Sequence, residues 1–179
     1  MPTTYQHIAS ILSDAHIRFD FDDANQVMKT VWSHDHVPVM VLVLLMEDGE
    51  LVQLRTASLL RATEDATKPL LFRAMLQMAY ETRLVQFEYD PADGEVSTCV
   101  DIAIEDAELT SGQLLQCCSL LLEISFHART RLKTILETGR DPALDQDGVG
   151  EEEARQRQSQ LDAMVDLARR MRSSSRGDA

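Results

Sequence analysis

The chain of 179 residues suits one domain, or one domain with an appendage, and its 44% hydrophobic content is enough to bury a sizeable core. Its 30 acidic and 17 basic residues give a formal net charge of −13, which argues against binding to nucleic acid or to an anionic membrane. The longest apolar run, residues 37–46, is too short to span a bilayer, and the first residues show no secretion signal. We therefore expect a cytoplasmic protein.

The three cysteines predict neither a disulfide framework nor a zinc site. Cys117 and Cys118 are adjacent, and Cys99 is isolated, so no spacing matches a metal-binding motif. Buried free thiols in a reducing compartment are the simplest interpretation.

The start of the chain predicts a short helix followed by two strands. Thr3 and Gln6 have the spacing of a capping box, and an apolar stripe at helical spacing continues to about Ala15. The stripe consists of Tyr5, Ile8, Ile11 and Leu12. Alternation then predicts a short strand near residues 17–21 and, after a turn at residues 22–25, a second strand at residues 26–32.

The next segment predicts a central hairpin. Residues 37–46 are β-branched and aliphatic, and their near-continuous apolarity indicates a strand buried on both faces. Asp48 and Gly49 favour a tight turn before a partner strand at residues 51–59. In that strand Leu51, Gln53 and Arg55 face away from Val52, Leu54 and Thr56. The first half is thus predicted to be a meander of three or four antiparallel strands.

A helix is predicted from residue 68 to about residue 82, with Pro69 in its first turn. Its apolar stripe includes Leu71, Met75, Met78 and Ala79. The methionines are either ordinary core residues or part of an adaptable contact surface, so Met75 and Met78 are candidates for partner or dimer binding.

Residues 85–104 predict a second hairpin with one apolar face. The strands alternate on both sides of a turn at residues 91–94, where Gly94 can adopt the positive φ that such a turn requires. The apolar face needs a cover, which the helices predicted before and after it can provide.

The longest predicted helix is residues 111–138, which Thr110 and Gln113 begin with a second capping box. Its wide apolar stripe consists of Leu114, Leu115, Cys118, Leu121, Leu122, Ser125, Phe126, Leu132 and Ile135. That width exceeds what one small sheet needs and indicates a second buried contact. Leu122 and Phe126 are the candidates for a homodimer interface.

The last forty residues predict an appendage. Residues 139–150 have the composition of an acidic linker, residues 151–172 predict an amphipathic helix, and residues 173–179 predict a disordered tail. The helix could dock on its own domain or its dimer mate, or it could be offered to another protein. Its candidate contact residues are Leu161, Met164, Val165 and Met171.

Three stretches of this sequence resemble the YbjN-like proteins, whose domain has the fold of class I type III secretion chaperones. They are VLVLLMEDGELV at residues 41–52, LVQFEYDPADGEV at residues 84–96, and IEDAELT at residues 104–110. The resemblance implies an α+β domain over residues 1–138, with an antiparallel sheet in α-β(3-4)-α-β-β-α order. It also implies dimerisation, no catalytic residues, and chaperone-like or regulatory binding of other proteins.

The search for chemical motifs finds no phosphate-binding glycine loop, no Gly-x-Ser-x-Gly and no His-Glu-x-x-His, so no cofactor is predicted. His34 and His36 would point to the same side of an extended segment and are weak metal candidates without a third ligand. Two hypotheses follow: a non-enzymatic homodimer that binds apolar segments of a partner protein, or a small-molecule or metal-dependent sensor or enzyme using the His34/His36 turn.

Overall fold

The computed structural model of the chain describes residues 2–34, 36–105 and 107–144. Within these ranges the helices are α1 (Tyr5–Asp14), α2 (Lys68–Glu81) and α3 (Ser111–Thr138). The strands are β1 (Asp20–Asp22), β2 (Val27–His34), β3 (Val37–Met46), β4 (Leu51–Thr56), β5 (Leu60–Arg61), β6 (Gln86–Tyr89) and β7 (Glu95–Ala103). The predicted α+β class is confirmed, and so is the element order, apart from the two-residue strand β5, which is a fifth strand before α2.

The predicted C-terminal helix at residues 151–172 and the tail at residues 173–179 lie outside the described residues. Linker residues 145–150 lie outside them too. The same is true of four of the candidate contact residues: Leu161, Met164, Val165 and Met171.

In the described ranges all seven strands join one antiparallel sheet. Strands β1 to β4 pair in sequence order, which confirms the predicted meander. Strand β7 joins the remaining strands to this meander. It pairs with β4 and β5 along one edge and with β6 along the other. Cys99 in β7 lies at the junction, paired with Arg55 of β4 on one side and with Gln86 of β6 on the other.

The helices cover one face of this sheet, and the prediction that β3 is buried on both faces is wrong. Val39, Val41 and Val43 are buried in the core with side chains of α1 and α3, whereas Met40 between them is 42% exposed. Successive strand residues point to opposite faces, so a helix layer on one face leaves every second residue of β3 outside the core.

The wide apolar stripe of α3 has two partners within the chain. Its first half packs on the sheet and α1 in one cluster of buried residues, and its second half packs against α2 in another. The α3 residues in the second cluster are Ala128, Leu132 and Ile135. The predicted second buried contact therefore exists, but α2 supplies it, and the width of the stripe is no longer an argument for a dimer.

The two predicted capping boxes have different outcomes. Thr110 and Gln113 form theirs, with the Thr110 side chain accepting from the Gln113 backbone N–H at 3.2 Å. At the first helix the prediction is wrong, because Thr4 is the N-cap and its hydroxyl accepts from His7 N–H. Thr3 is instead held by its own backbone N–H, which donates to the carbonyl of Gly49 at 3.0 Å.

Both hairpin turns contain residues with positive φ. Gly94 has φ +76°, as predicted, and an added Cβ there would lie 2.7 Å from the carbonyl oxygen of Ala62. The turn after β3 is not the predicted tight pair but a short 3₁₀ turn, Glu47–Gly49, in which Glu47 and Asp48 also have positive φ.

A buried ion pair holds the segment that follows α3 against that helix. The Arg131 guanidinium donates to both carboxylate oxygens of Asp141 at 2.8 and 2.7 Å, and it also donates to Gln77 Oε1 at 2.8 Å. The side chains of the pair are 7% and 1% exposed. The compact unit that contains the sheet accordingly ends at Asp141, beyond the boundary predicted after Thr138.

Candidate functional site

The face of the sheet opposite the helices carries an apolar strip. Cross-strand partners share a face, and on this outer face Val31 pairs with Met40 while Met46 pairs with Leu51. We define the apolar strip as Val31, Met40, Leu42, Leu44, Met46 and Leu51. Val31 is 61% exposed, and Met40 and Met46 are each 42% exposed. A contiguous apolar surface on a sheet commonly marks a contact site.

The rest of the outer face is polar and acidic. Arg55 forms an ion pair with Glu88 and lies 3.9 Å from Glu95. Asp101 accepts hydrogen bonds from the side-chain amides of Gln53 at 2.8 Å and Gln86 at 3.3 Å. Arg61, the cross-strand partner of Glu95, forms a further ion pair with Asp93 at 3.0 Å, so two guanidinium groups lie among four carboxylates and this part of the face stays negative.

Cys99 lies beneath this polar cluster and is fully buried. Burial, followed by the neighbouring Glu88 carboxylate, raises the pKa of the Cys99 thiol to about 12. Burial also raises the pKa of Cys118 to about 12 and, to a lesser extent, that of Cys117. Because the thiolate is the reactive form, none of the three thiols is suited to nucleophilic chemistry near neutral pH.

An ion pair borders the strip at its other side. Asp22 at the end of β1 accepts from Lys29 Nζ at 2.6 Å and from Asn25. The hydrogen bond from Lys29, reinforced by Asn25, lowers the pKa of Asp22 to about 2. The apolar strip thus lies between the Asp22–Lys29 ion pair on one side and the acidic cluster around Arg55 on the other.

A second exposed apolar surface lies on α2. We define the α2 patch as Leu76, Tyr80 and Leu84, which are 72%, 91% and 62% exposed. Phe72 continues the same helix face at the spacing i, i+4 and packs its ring 4.9 Å from that of Tyr89.

The sequence candidates lie elsewhere. Met75, Met78 and Leu122 are buried in the core at 6%, 2% and 8% exposure, so in this structure they pack inside the chain. Phe126 is partly buried, with its ring 5.4 Å from that of His34. Contacts of these four residues with a partner stay predictions.

The sequence analysis did not identify the α2 patch. It selected Met75 and Met78 because methionine side chains are adaptable, and it did not consider the opposite face of the helix. The signal was present, since Leu76 and Tyr80 lie four residues apart on the side of α2 away from Leu71 and Met75. A stripe of apolar residues in addition to the one that packs on the core predicts a second contact.

His34 and His36 do not lie on the same side of one extended segment, as the sequence had predicted. His34 ends β2, but His36 has φ +64°, so the two residues do not share an extended segment. Among the described residues, no group of three or more His, Cys, Asp or Glu side chains could hold a metal ion. In the same part of the chain, no helix is both long and apolar enough to cross a membrane.

Neither a protein-family model nor a curated protein sequence matches this chain. Solved structures do match it. YbjN, described as a candidate transcription regulator from E. coli, is 12% identical with a TM-score of 0.57, over 74% of this chain and 91% of YbjN. A chain of the ExsC-ExsE complex is 16% identical with a TM-score of 0.51, over 74% of this chain and 97% of its own length.

A chain of the HopA1-SchA chaperone-effector complex matches 68% of this chain and 88% of its own length, at 17% identity and a TM-score of 0.48. At these identities the likeness concerns fold and not activity. The chain has the YbjN-like, type III secretion chaperone-like fold that its sequence predicted.

Proposed function

We propose that the protein is a non-enzymatic binding protein, chaperone-like or regulatory, that acts as a homodimer and buries apolar segments of a partner protein on the apolar strip. The observation that carries this proposal is the strip itself: side chains of β2, β3 and β4 that the helix layer leaves in contact with solvent. The solved ExsC-ExsE complex, which contains a chain of similar fold, adds support for a protein as the ligand.

The partner's apolar side chains supply most of the affinity. Burial of apolar surface contributes roughly 25 cal/mol per Å² before ordering costs, and Val31, Met40 and Met46 offer the most exposed area on the strip. Methionine side chains adapt to differently shaped partners, so the strip tolerates some variety among apolar segments.

The acidic cluster beside the strip favours a partner segment with some basic charge. Glu88, Glu95 and Asp101 outnumber the Arg55 guanidinium among them, so this cluster attracts cations and repels nucleic acid, whereas Asp22 on the other side is paired with Lys29. Exposed charges chiefly set the association rate, so salt should slow association while leaving much of the affinity intact. The cytoplasmic location is part of the same proposal, supported by three buried free cysteines.

The test begins with a partner captured by the purified protein and identified by mass spectrometry. Association and dissociation rates are then measured for the wild type and for Val31→Asp and Met40→Asp, which place a charge on the strip at exposed positions, with circular dichroism as the check that each variant is folded. Ser119→Asp is the matched control, because it adds the same charge at an exposed position of α3 that belongs neither to the strip nor to the α2 patch.

We expect the strip variants to accelerate dissociation by at least about tenfold and the control to bind the partner like the wild type. Unchanged binding by both strip variants would refute the proposal. So would an affinity that falls in parallel with rising salt, or duplex DNA bound as tightly as the protein partner.

A further inference from the structure

Two methionines of the apolar strip expose their thioether groups to solvent. Met40 and Met46 are each 42% exposed, whereas the other methionines that the structure describes are buried at 6% exposure or less: Met28, Met75 and Met78. A thioether is oxidised readily, unlike an aliphatic side chain, and its exposure governs how fast an oxidant in solution reaches it. Among the described methionines, a hydroperoxide therefore meets those of the strip first.

The cysteines do not compete for the same oxidant. All three are buried, and burial raises the pKa of Cys99 and of Cys118 to about 12. Burial also raises the pKa of Cys117, which is 9% exposed. Peroxides react with the thiolate, which is scarce at neutral pH when the pKa of a thiol is raised. The exposed methionines are therefore the sulfur groups on which peroxide acts.

Met40 and Met46 lie at opposite ends of the central row of the strip. This row belongs to β3, and the two methionines are six residues apart along it, which corresponds to roughly 20 Å. Leu42 and Leu44 lie between them and are only partly exposed. A partner segment that runs along β3 thus contacts at least one of the two methionines.

Oxidation changes the chemistry of these contacts. One oxygen of hydrogen peroxide bonds to the methionine sulfur, the O–O bond breaks, and the proton of the transferred oxygen passes to the other oxygen, which leaves as water. The sulfur loses two electrons and the peroxide gains them. The sulfoxide oxygen is a polar acceptor that apolar side chains of a partner cannot satisfy, so burying it under the partner opposes binding.

We propose that Met40 and Met46 form a peroxide-sensitive modification site, and that their oxidation to the sulfoxide weakens the binding of an apolar partner segment to the strip. The inference rests on the proposed function and gives the same surface a means of regulation. Both side chains lie on the outer face and outside the two core clusters, so the oxidised chain keeps its fold. Methionine sulfoxide reductase, with two thiols as the reductant, returns the thioether and releases water and a disulfide.

Peptide mapping by mass spectrometry tests the selectivity of the site. The full chain is treated briefly with hydrogen peroxide, and the oxidised fraction of each methionine is followed over time. We expect Met40 and Met46 to react at least about tenfold faster than the three buried methionines, and all five to react alike in urea. Buried methionines that react as fast as those of the strip in the folded chain would overturn the proposal.

Leucine at both positions separates oxidation from the apolar character of the strip. The double variant Met40→Leu/Met46→Leu keeps apolar side chains of similar volume that peroxide does not oxidise. Nile red, a neutral dye that fluoresces on apolar surfaces, is the probe, and the signal of the strip is the part that Val31→Asp removes. Peroxide should abolish most of that signal in the wild type and leave it in the double variant, with circular dichroism unchanged in both. Loss of the signal in both proteins, or in neither, would contradict the proposal.

The captured partner provides the readout that distinguishes this inference from the proposed function. The chain is oxidised and the peroxide removed before the partner is added. The oxidised wild type should release the partner about tenfold faster, sulfoxide reductase should restore slow release, and the double variant should not respond to peroxide.

The two proposals fail in different ways. If oxidation leaves release unchanged while Val31→Asp and Met40→Asp accelerate it, this inference is refuted and the proposed function stands. If the charged strip variants bind the partner like the wild type, the proposed function is refuted, even where the mapping finds both methionines oxidised.

Discussion

Replacing Asp141 with alanine tests whether the residues after α3 belong to the folded unit. The substitution removes a carboxylate that accepts two hydrogen bonds from the Arg131 guanidinium. Both side chains are almost fully buried, at 7% and 1% exposure, so solvent does little to screen the pair or to replace the lost partner. Asp141→Ala therefore leaves a buried cation whose remaining described partner is Gln77.

Breaking one side of a buried ion pair costs about 3–5 kcal/mol, because an uncompensated charge remains in a poorly solvated position. The retained hydrogen bond to Gln77 favours the lower end, so we expect a loss of about 3 kcal/mol in the free energy of unfolding. For a unit of this size that loss lowers the melting temperature by roughly 6–12 °C.

Urea denaturation followed by circular dichroism measures the loss, with the m-value as a check that the same surface unfolds. Glu137→Ala is the matched control on α3, where Lys133 and Glu137 form an exposed pair at 3.6 Å with side chains 66% and 62% exposed. It should cost less than about 0.5 kcal/mol. If Asp141→Ala costs no more than the control, the buried pair does not hold this segment and the reasoning fails.

Four further outcomes follow. Truncation after Thr138 should lower the free energy of unfolding about as much as Asp141→Ala, whereas truncation after Leu144 should not, and calorimetry compares the two. Leu122→Asp should abolish cooperative unfolding instead of dissociating a dimer, because Leu122 is 8% exposed; a folded monomer by light scattering would contradict this. Gly94→Ala should cost at least about 1 kcal/mol in urea titrations, since alanine is strained at φ +76° and its Cβ would crowd Ala62. Asp22 has its pKa lowered from 3.8 to about 2, so its contribution to stability is complete above the unfolded value and disappears as pH falls through the folded one. The difference in melting temperature between wild type and Asp22→Asn should shrink over that window, and a difference that persists at still lower pH would argue against the Lys29 contact.

Local patterns predicted the elements well where neighbouring residues alone decide the structure. The strand Val37–Met46 has the predicted bounds, the box of Thr110 and Gln113 forms, and Gly94 takes positive φ. Each depends on contacts within a few residues. The first cap failed because a distant partner intervened: the Thr3 N–H donates to Gly49, and Thr4 takes over as the cap.

Which apolar faces are buried was harder to predict, because burial depends on how the helices and strands pack together. The apolarity of β3 indicated two buried faces, but one of them became the apolar strip. The stripe of α3 suggested a partner chain, but α2 of the same chain fills that place. Of the two interpretations that the sequence left open for Met75 and Met78, the structure shows both side chains in the core of the chain, whereas Leu76 between them is exposed. Periodicity identifies apolar faces, and only the packing identifies which of them stay uncovered.

The position of β7 has a consequence for how the chain folds. Its hairpin with β6 joins neighbours in sequence, but its pairing with β4 joins Leu51 to Ala103 across the whole of α2. Such a distant pairing closes a long loop and slows folding relative to helical proteins of the same length. We expect the β1 to β4 meander and the β6–β7 hairpin to form early as separate units and their docking along β4 and β7 to be the slow step. Amide hydrogens at that seam, around Leu54 and Val100, should exchange with solvent last.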